Sequence, residues 1–179
     1  MDLHELNALD RDAFVARLGA IYEHSPWVAQ DAWAARPFES MDALYAAMQR
    51  VMLAAPRETQ LGLIRAHPDL RGSIVRAHPE LRGRIADPAE LTEASRKEQA
   101  GAGLNRCSAE ERARLQSLNR AYREKFGFPF IVAVRGMDAA RILGSMETRL
   151  ARAPEQEFRT CLEEIGRIAR FRLEALFGV

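Results

Sequence analysis

Apolar residues recur at three- and four-residue spacing along most of this 179-residue chain, and that period predicts helices. The first long segment begins at Asp10, and its apolar stripe comprises Phe14, Leu18, Ile21 and Tyr22. Residue types with strong preferences for helix ends mark the other predicted helices. One helix starts at Pro26 and stops at Pro37, and Ser40 caps the next. Another starts near Pro56 and stops before Pro68, and a further helix lies around 91–102. Ser108 and Glu111 form a capping box for a helix that stops at Gly127, Asp138 caps the following one, and the last helix runs from Pro154 to about Phe177.

Residues 128–134, with the sequence FPFIVAV, form the only run of β-like composition. A lone strand leaves its backbone N–H and C=O groups unpaired, so we expect an extended apolar segment packed among helices. The predicted fold class is therefore all-α, with residues 1–179 forming a single compact domain.

A nine-residue unit, IRAHPDLRG at 64–72, recurs at 75–83 as VRAHPELRG with two conservative changes. One repeat is too little for a solenoid and indicates a local tandem duplication. One of the two histidines, His67 or His78, is then a copy without a role. We interpret the polar stretch that contains Gly72, Gly83 and Pro88 as a long loop.

Composition narrows the function classes. Lys and Arg (26) balance Asp and Glu (25), so no bulk field attracts nucleic acid or an anionic membrane. The longest apolar run is too short to span a bilayer, and the polar, acidic N-terminus does not resemble a signal peptide. Cys107 and Cys161 lack zinc-ligand spacing. We expect a soluble, cytoplasmic protein without a structural metal.

Two groups of side chains could carry chemistry. His67 lies where a helix stops, and it could transfer a proton near neutral pH or merely complement the helix dipole. Ser95, Glu98 and Gln99 share one helical face, where they could converge on a ligand. Alternatively, Ser95 and Glu98 form a capping box, although Thr92 already offers a helix start.

Two further features leave alternatives open. The irregular apolar stretch from Phe126 to Val134 could bind a planar heterocycle through its backbone groups or serve only as a buried connector. Arg172 falls on the apolar stripe of the last helix, where an unpaired charge is costly. It therefore needs an anionic partner, on the protein or on a substrate, unless its side chain reaches the rim of the stripe.

Five segments resemble, in order, the signatures of the OHCU decarboxylase family, whose substrate is 2-oxo-4-hydroxy-4-carboxy-5-ureidoimidazoline (OHCU). They are EHSPWV at 23–28, RPF at 36–38, LIRAHPDL at 63–70, SRKEQAGAGL at 95–104 and LNRAYREKFGFPFIVAVRG at 118–136. The resemblance implies an all-helical homodimer that, without a cofactor, decarboxylates OHCU to (S)-allantoin in uric acid degradation.

The resemblance also implies roles for individual residues. Its catalytic histidine falls on the repeated His-Pro motif, and we favour His67 over His78 because the helix before His67 is apolar. The implied substrate-binding residues are Pro68, Ser95, Glu98, Gln99, Phe130, Ile131, Val132, Ala133, Val134 and Arg172. A rival interpretation is a non-catalytic helical interaction module, in which His67 and Ser95 are caps and Arg172 is a surface charge.

Overall fold

The computed structural model describes residues 1–70 and 92–179, and every regular element within these ranges is helical. The absence of strands from the described residues confirms the predicted all-α fold. The predicted loop with Gly72 and Gly83, together with His78, lies outside the described residues. The α-helices are α1 (Leu3–Ala8), α2 (Arg11–Leu18), α3 (Trp27–Ala32), α4 (Met41–Ala54), α5 (Arg57–Ala66), α6 (Glu93–Gly101), α7 (Ala109–Phe126), α8 (Ala139–Leu150) and α9 (Pro154–Phe177), with 3₁₀ turns at Trp33–Ala35 and Leu104–Arg106.

Side-chain caps begin the helices at the predicted residues. The Ser40 hydroxyl accepts a hydrogen bond from the Ala43 N–H at the start of α4. Ser108 and Glu111 form a reciprocal capping box at the start of α7, and Asp138 caps α8. Each cap pairs an N–H group that has no partner inside its helix, which typically contributes about 1 kcal/mol.

The predicted extension of the α2 helix through Ile21 and Tyr22 is wrong, because α2 ends at Leu18. The chain folds back there, and a Cβ atom on Gly19 would lie only 3.2 Å from the Pro26 Cβ. Glycine therefore permits this close approach. Ile21 and Tyr22 are nevertheless buried, at 7% and 1% exposure. Their spacing therefore predicted their burial correctly, although they do not lie in the helix.

The chain divides into two compact units. The first comprises Met1–Ala66 and Leu162–Val179, and the second comprises His67–Cys161. In the first unit α3 packs against α4, and the most buried side chains include Leu6, Phe14, Leu18, Leu44, Met48, Met52, Leu63 and Ile64. In the second unit α7 packs against α8, and the most buried side chains include Leu104, Tyr122, Phe130, Ile142 and Met146.

Residues 128–134 follow α7 as an extended segment that is neither helix nor strand. The rings of Phe128 and Phe130 pack edge-on against Tyr122, with centroid separations of 6.1 and 5.2 Å. Phe130 and Ile131 are almost completely buried. These contacts confirm that the segment packs against helices. Among the described residues, no helix is both long and apolar enough to cross a membrane.

Candidate active site

His67 follows directly after the last residue of α5, where the sequence predicted a helix stop. Its side chain is buried, at 5% exposure, and Pro68 is buried beside it. Leu63 and Ile64, in the last turns of α5, are buried as well. The helix that precedes His67 is thus anchored in a core, as its apolar sequence predicted.

The turn that carries His67 is held by side chains from two helices of the second unit. Asn119 Nδ2 donates to the Leu70 carbonyl at 2.8 Å, and Arg123 Nε donates to both Asp69 carboxylate oxygens, at 2.8 and 3.1 Å. Gln99 Nε2 on α6 donates to the Asp69 carbonyl at 3.4 Å. Gln99 therefore lies against the turn that contains the candidate catalytic histidine.

Asn119 and Arg123 were not among the predicted site residues. Their four-residue spacing places both on one face of α7, within the recognised segment 118–136. That spacing was the available signal, but it indicates a shared face and not the partner that the face contacts. These two side chains orient the turn without themselves being candidates for chemistry.

The α6 helix has a different cap from the one that Ser95 and Glu98 could have formed. Thr92 is the N-cap, and its side chain accepts a hydrogen bond from the Ser95 N–H. The interpretation of Ser95 and Glu98 as a capping box is therefore wrong. Ser95 and Gln99 are buried on one face, at 5% and 7% exposure, with Ala102 buried one turn further along and Glu98 partly exposed.

Residues 130–134, whose backbone is predicted to bind the substrate, are held in place at Ile131. Arg149 Nη1 on α8 donates to the Ile131 carbonyl at 2.7 Å, and the guanidinium lies 4.3 Å from the centroid of the Phe130 ring. Val132 and Val134 are buried and Ala133 is partly buried. The extended backbone is thus held in one register by a side chain that the sequence analysis did not select.

Three titratable groups surround that segment. Burial raises the pKa of the Cys161 thiol to about 11, although its hydrogen bond with the Tyr122 hydroxyl opposes the rise. Burial also raises the pKa of the Tyr122 hydroxyl far above its usual range. Burial alone would lower the pKa of Arg149, but the hydrogen bond to Glu157, the charge of that carboxylate and the nearby Tyr122 and Cys161 together outweigh burial and raise the pKa. At neutral pH the thiol and phenol are therefore protonated and Arg149 is charged.

Arg172 belongs to the first unit, where its anionic partner is the carboxylate of Glu23. Its Nη1 lies 2.9 Å from Glu23 Oε2, and it also donates to the carbonyls of Ile21 at 3.3 Å and Ala20 at 3.4 Å. The two side chains are 8% and 0% exposed. The sequence left open whether the anionic partner of Arg172 lies on the protein or on a substrate. In the structure that partner is a carboxylate of the protein.

The second unit thus combines an imidazole, a hydroxyl, a carboxylate, a carboxamide and a buried extended backbone. This set can transfer a proton and orient the polar groups of a small heterocycle. Within residues 1–70 and 92–179, no group of three His, Cys, Asp or Glu side chains could hold a metal ion.

The sequence profile of the OHCU decarboxylase family matches residues 7–73 and 71–174. The two matches overlap at 71–73, and each contains one histidine of the repeat. A Haloferax volcanii protein named 2-oxo-4-hydroxy-4-carboxy-5-ureidoimidazoline decarboxylase is 44% identical over 178 residues, or 99% of this chain and 97% of its own. A Mus musculus protein of the same name is 38% identical over 178 residues, covering 99% of this chain and 94% of its own. The crystal structure of an (S)-allantoin synthase superimposes with a TM-score of 0.73 at 28% sequence identity. The match covers 98% of this chain and 54% of the synthase chain.

Proposed function

The chain belongs to the OHCU decarboxylase family, and from this membership we propose that it decarboxylates OHCU to (S)-allantoin in uric acid degradation. It is then a carbon–carbon lyase. The observation that carries the proposal is the match, along nearly the whole chain, to relatives named for this activity.

The reaction breaks the bond between the ring carbon and its carboxylate, and the electron pair stays on the ring as CO2 leaves. Catalysis therefore requires donors that stabilise the developing anion, and a proton that reaches one face of the carbon. We assign the proton transfer to His67, because histidine is the side chain that most often acts as a general acid or base. Pro68 belongs to the same buried turn and would contact the substrate.

We assign the substrate's hydroxyl and ureido groups to Ser95, Glu98 and Gln99. The shared face of α6 supports this assignment, because Ser95 and Gln99 are buried there beside the small side chain of Ala102. The backbone of 130–134 would supply further hydrogen bonds to the planar ring. Arg172 would attract the substrate anion in addition to holding Glu23.

The remaining expectations concern the whole protein. We propose that residues 1–179 act as one decarboxylase domain, that two copies form a homodimer, that the enzyme is cytoplasmic, and that it needs no cofactor. The coverage of 97% of the Haloferax volcanii relative supports a domain of this length.

The purified protein should accelerate the formation of (S)-allantoin when OHCU is generated freshly from urate by urate oxidase and hydroxyisourate hydrolase. Spontaneous decay gives racemic allantoin, so chiral chromatography measures the enzyme's contribution directly. Activity should be insensitive to EDTA, since the proposed catalytic groups include no metal. Racemic product at high enzyme concentration would refute the activity, and loss of activity with EDTA would refute the cofactor-independent mechanism.

Replacing Glu98 by Gln should lower kcat/KM by roughly 10²-fold, because the neutral amide misplaces the substrate groups that the carboxylate orients. Thermal stability should change little, since Thr92 and not Ser95 caps α6. Glu93→Gln is the matched control, because Glu93 lies on the same helix and makes only an exposed ion pair with Lys97 at 2.7 Å. Equal activity of the two variants would remove Glu98 from the site.

A further inference from the structure

A buried ion pair joins α8 to the beginning of α9 within the second unit. Arg149 Nε donates to Glu157 Oε1 at 2.7 Å, and the side chains are 5% and 0% exposed. The Tyr122 hydroxyl donates to the same carboxylate oxygen, and Arg152 Nη1 lies 3.6 Å from the other one. Glu157 is thus surrounded by groups that hold it in place.

A pair of this kind is a poor source of stability. Removing two charges from water is expensive, and apolar side chains of similar volume often stabilise a protein equally well or better. Stability therefore does not account for the pair, and the contacts of Arg149 suggest another role for it. A guanidinium presents its donors in a rigid plane, so fixing one edge also fixes the others.

The other edge of the Arg149 guanidinium points to the candidate substrate-binding segment. Its Nη1 donates to the Ile131 carbonyl at 2.7 Å, and its plane lies against Phe130, whose ring also contacts Tyr122. The Ile131 carbonyl is therefore already occupied by a donor from the protein.

We propose that Arg149, oriented by Glu157 and Tyr122, is a positioning residue that fixes the Ile131 carbonyl and thereby the register in which residues 132–134 meet the substrate. Ile131 is then the anchor of the segment, and its carbonyl binds Arg149 instead of OHCU. This inference rests on the proposed function, because it assumes that the segment binds substrate. It narrows the substrate-binding backbone to residues beyond the anchor.

The test uses the full chain with both charges removed, in the variant Arg149→Met with Glu157→Leu. Replacing the whole pair leaves no uncompensated buried charge, although the Tyr122 hydroxyl and the Ile131 carbonyl each lose a hydrogen bond, so the fold should persist with a Tm lowered by about 5–15 °C. Without its anchor, the amides of 131–134 should exchange with deuterium at least tenfold faster. The value of kcat/KM should fall about 10²-fold, since small misplacements of binding groups are costly.

The matched control is Arg114→Met with Glu147→Leu. This pair also joins two helices of the same unit, but its side chains are 60% and 40% exposed. Exchange of 131–134 and kinetics should both match wild type. Wild-type exchange and kinetics in the Arg149 and Glu157 variant would overturn the inference.

A second variant covers the case in which the double replacement does not fold. Arg149→Lys keeps a positive charge for Glu157 but loses the fixed Nη1 hydrogen bond to the Ile131 carbonyl, so it should fold, exchange faster at 131–134 and have a lower kcat/KM. Normal exchange and kinetics in this variant would also overturn the inference. An inactive wild-type protein would instead refute the proposed function, while the exchange measurement would still report whether Arg149 anchors the segment.

Discussion

We expect His67→Asn to abolish nearly all decarboxylation and His78→Asn to retain most of it. Loss of a positioned proton donor typically lowers the rate by about 10²–10⁴-fold. A proton donor must be held within hydrogen-bond reach of the reacting carbon, and His67 lies in a buried turn that follows an anchored helix. Asn119, Arg123 and Gln99 restrain that turn through Asp69 and Leu70.

The two variants control for each other, because the same substitution is made in almost the same local sequence, RAHPDLRG or RAHPELRG. Both should be assayed by chiral detection of allantoin and by thermal unfolding. Deleting residues 73–83 should give a folded, active enzyme. Because the deletion leaves a single histidine that could take the place of either copy, this result alone does not decide between His67 and His78. An active His67→Asn beside an inactive His78→Asn would assign the catalytic role to the second copy.

Local sequence predicted the helix starts well, because each N-terminal cap is decided by side chains within four residues of it. Ser40, Ser108 and Asp138 all cap the predicted helices. Gly127 ends α7 with a left-handed φ of 75°, which glycine adopts without strain. The choice between Thr92 and Ser95 as a cap needed the structure, since both residues satisfy the same local rule.

Partners that are distant in the chain could not be predicted in this way. Arg172 and Glu23 are separated by 149 positions, and no local pattern links them. The partners of Arg149 could not be predicted either, because its sequence position indicates only a basic residue in the last turn of α8. Its contact with Ile131 depends on how α8 packs beside the extended segment, which is a tertiary property.

The pairing of Arg172 with Glu23 predicts a large loss of stability on Arg172→Met. The variant leaves the Glu23 carboxylate fully buried without its ion-pair partner, and breaking a buried pair in this way typically costs about 3–5 kcal/mol. Arg170→Met is the control on the same helix. Arg170 pairs with Asp42 and Glu174 at the surface, where solvent screens the pairs, so its replacement should cost far less stability than that of Arg172.

The double variant Arg172→Met with Glu23→Leu separates the structural role of Arg172 from its proposed role in substrate binding. Removing both charges should recover most of the lost free energy of unfolding, measured by urea denaturation. If Arg172 also attracts the substrate anion, the recovered protein should still show a strongly raised KM for OHCU, because Met supplies no charge. Recovery of stability together with wild-type KM and kcat would mean that Arg172 serves only to neutralise Glu23, and its assignment to the substrate site would be wrong.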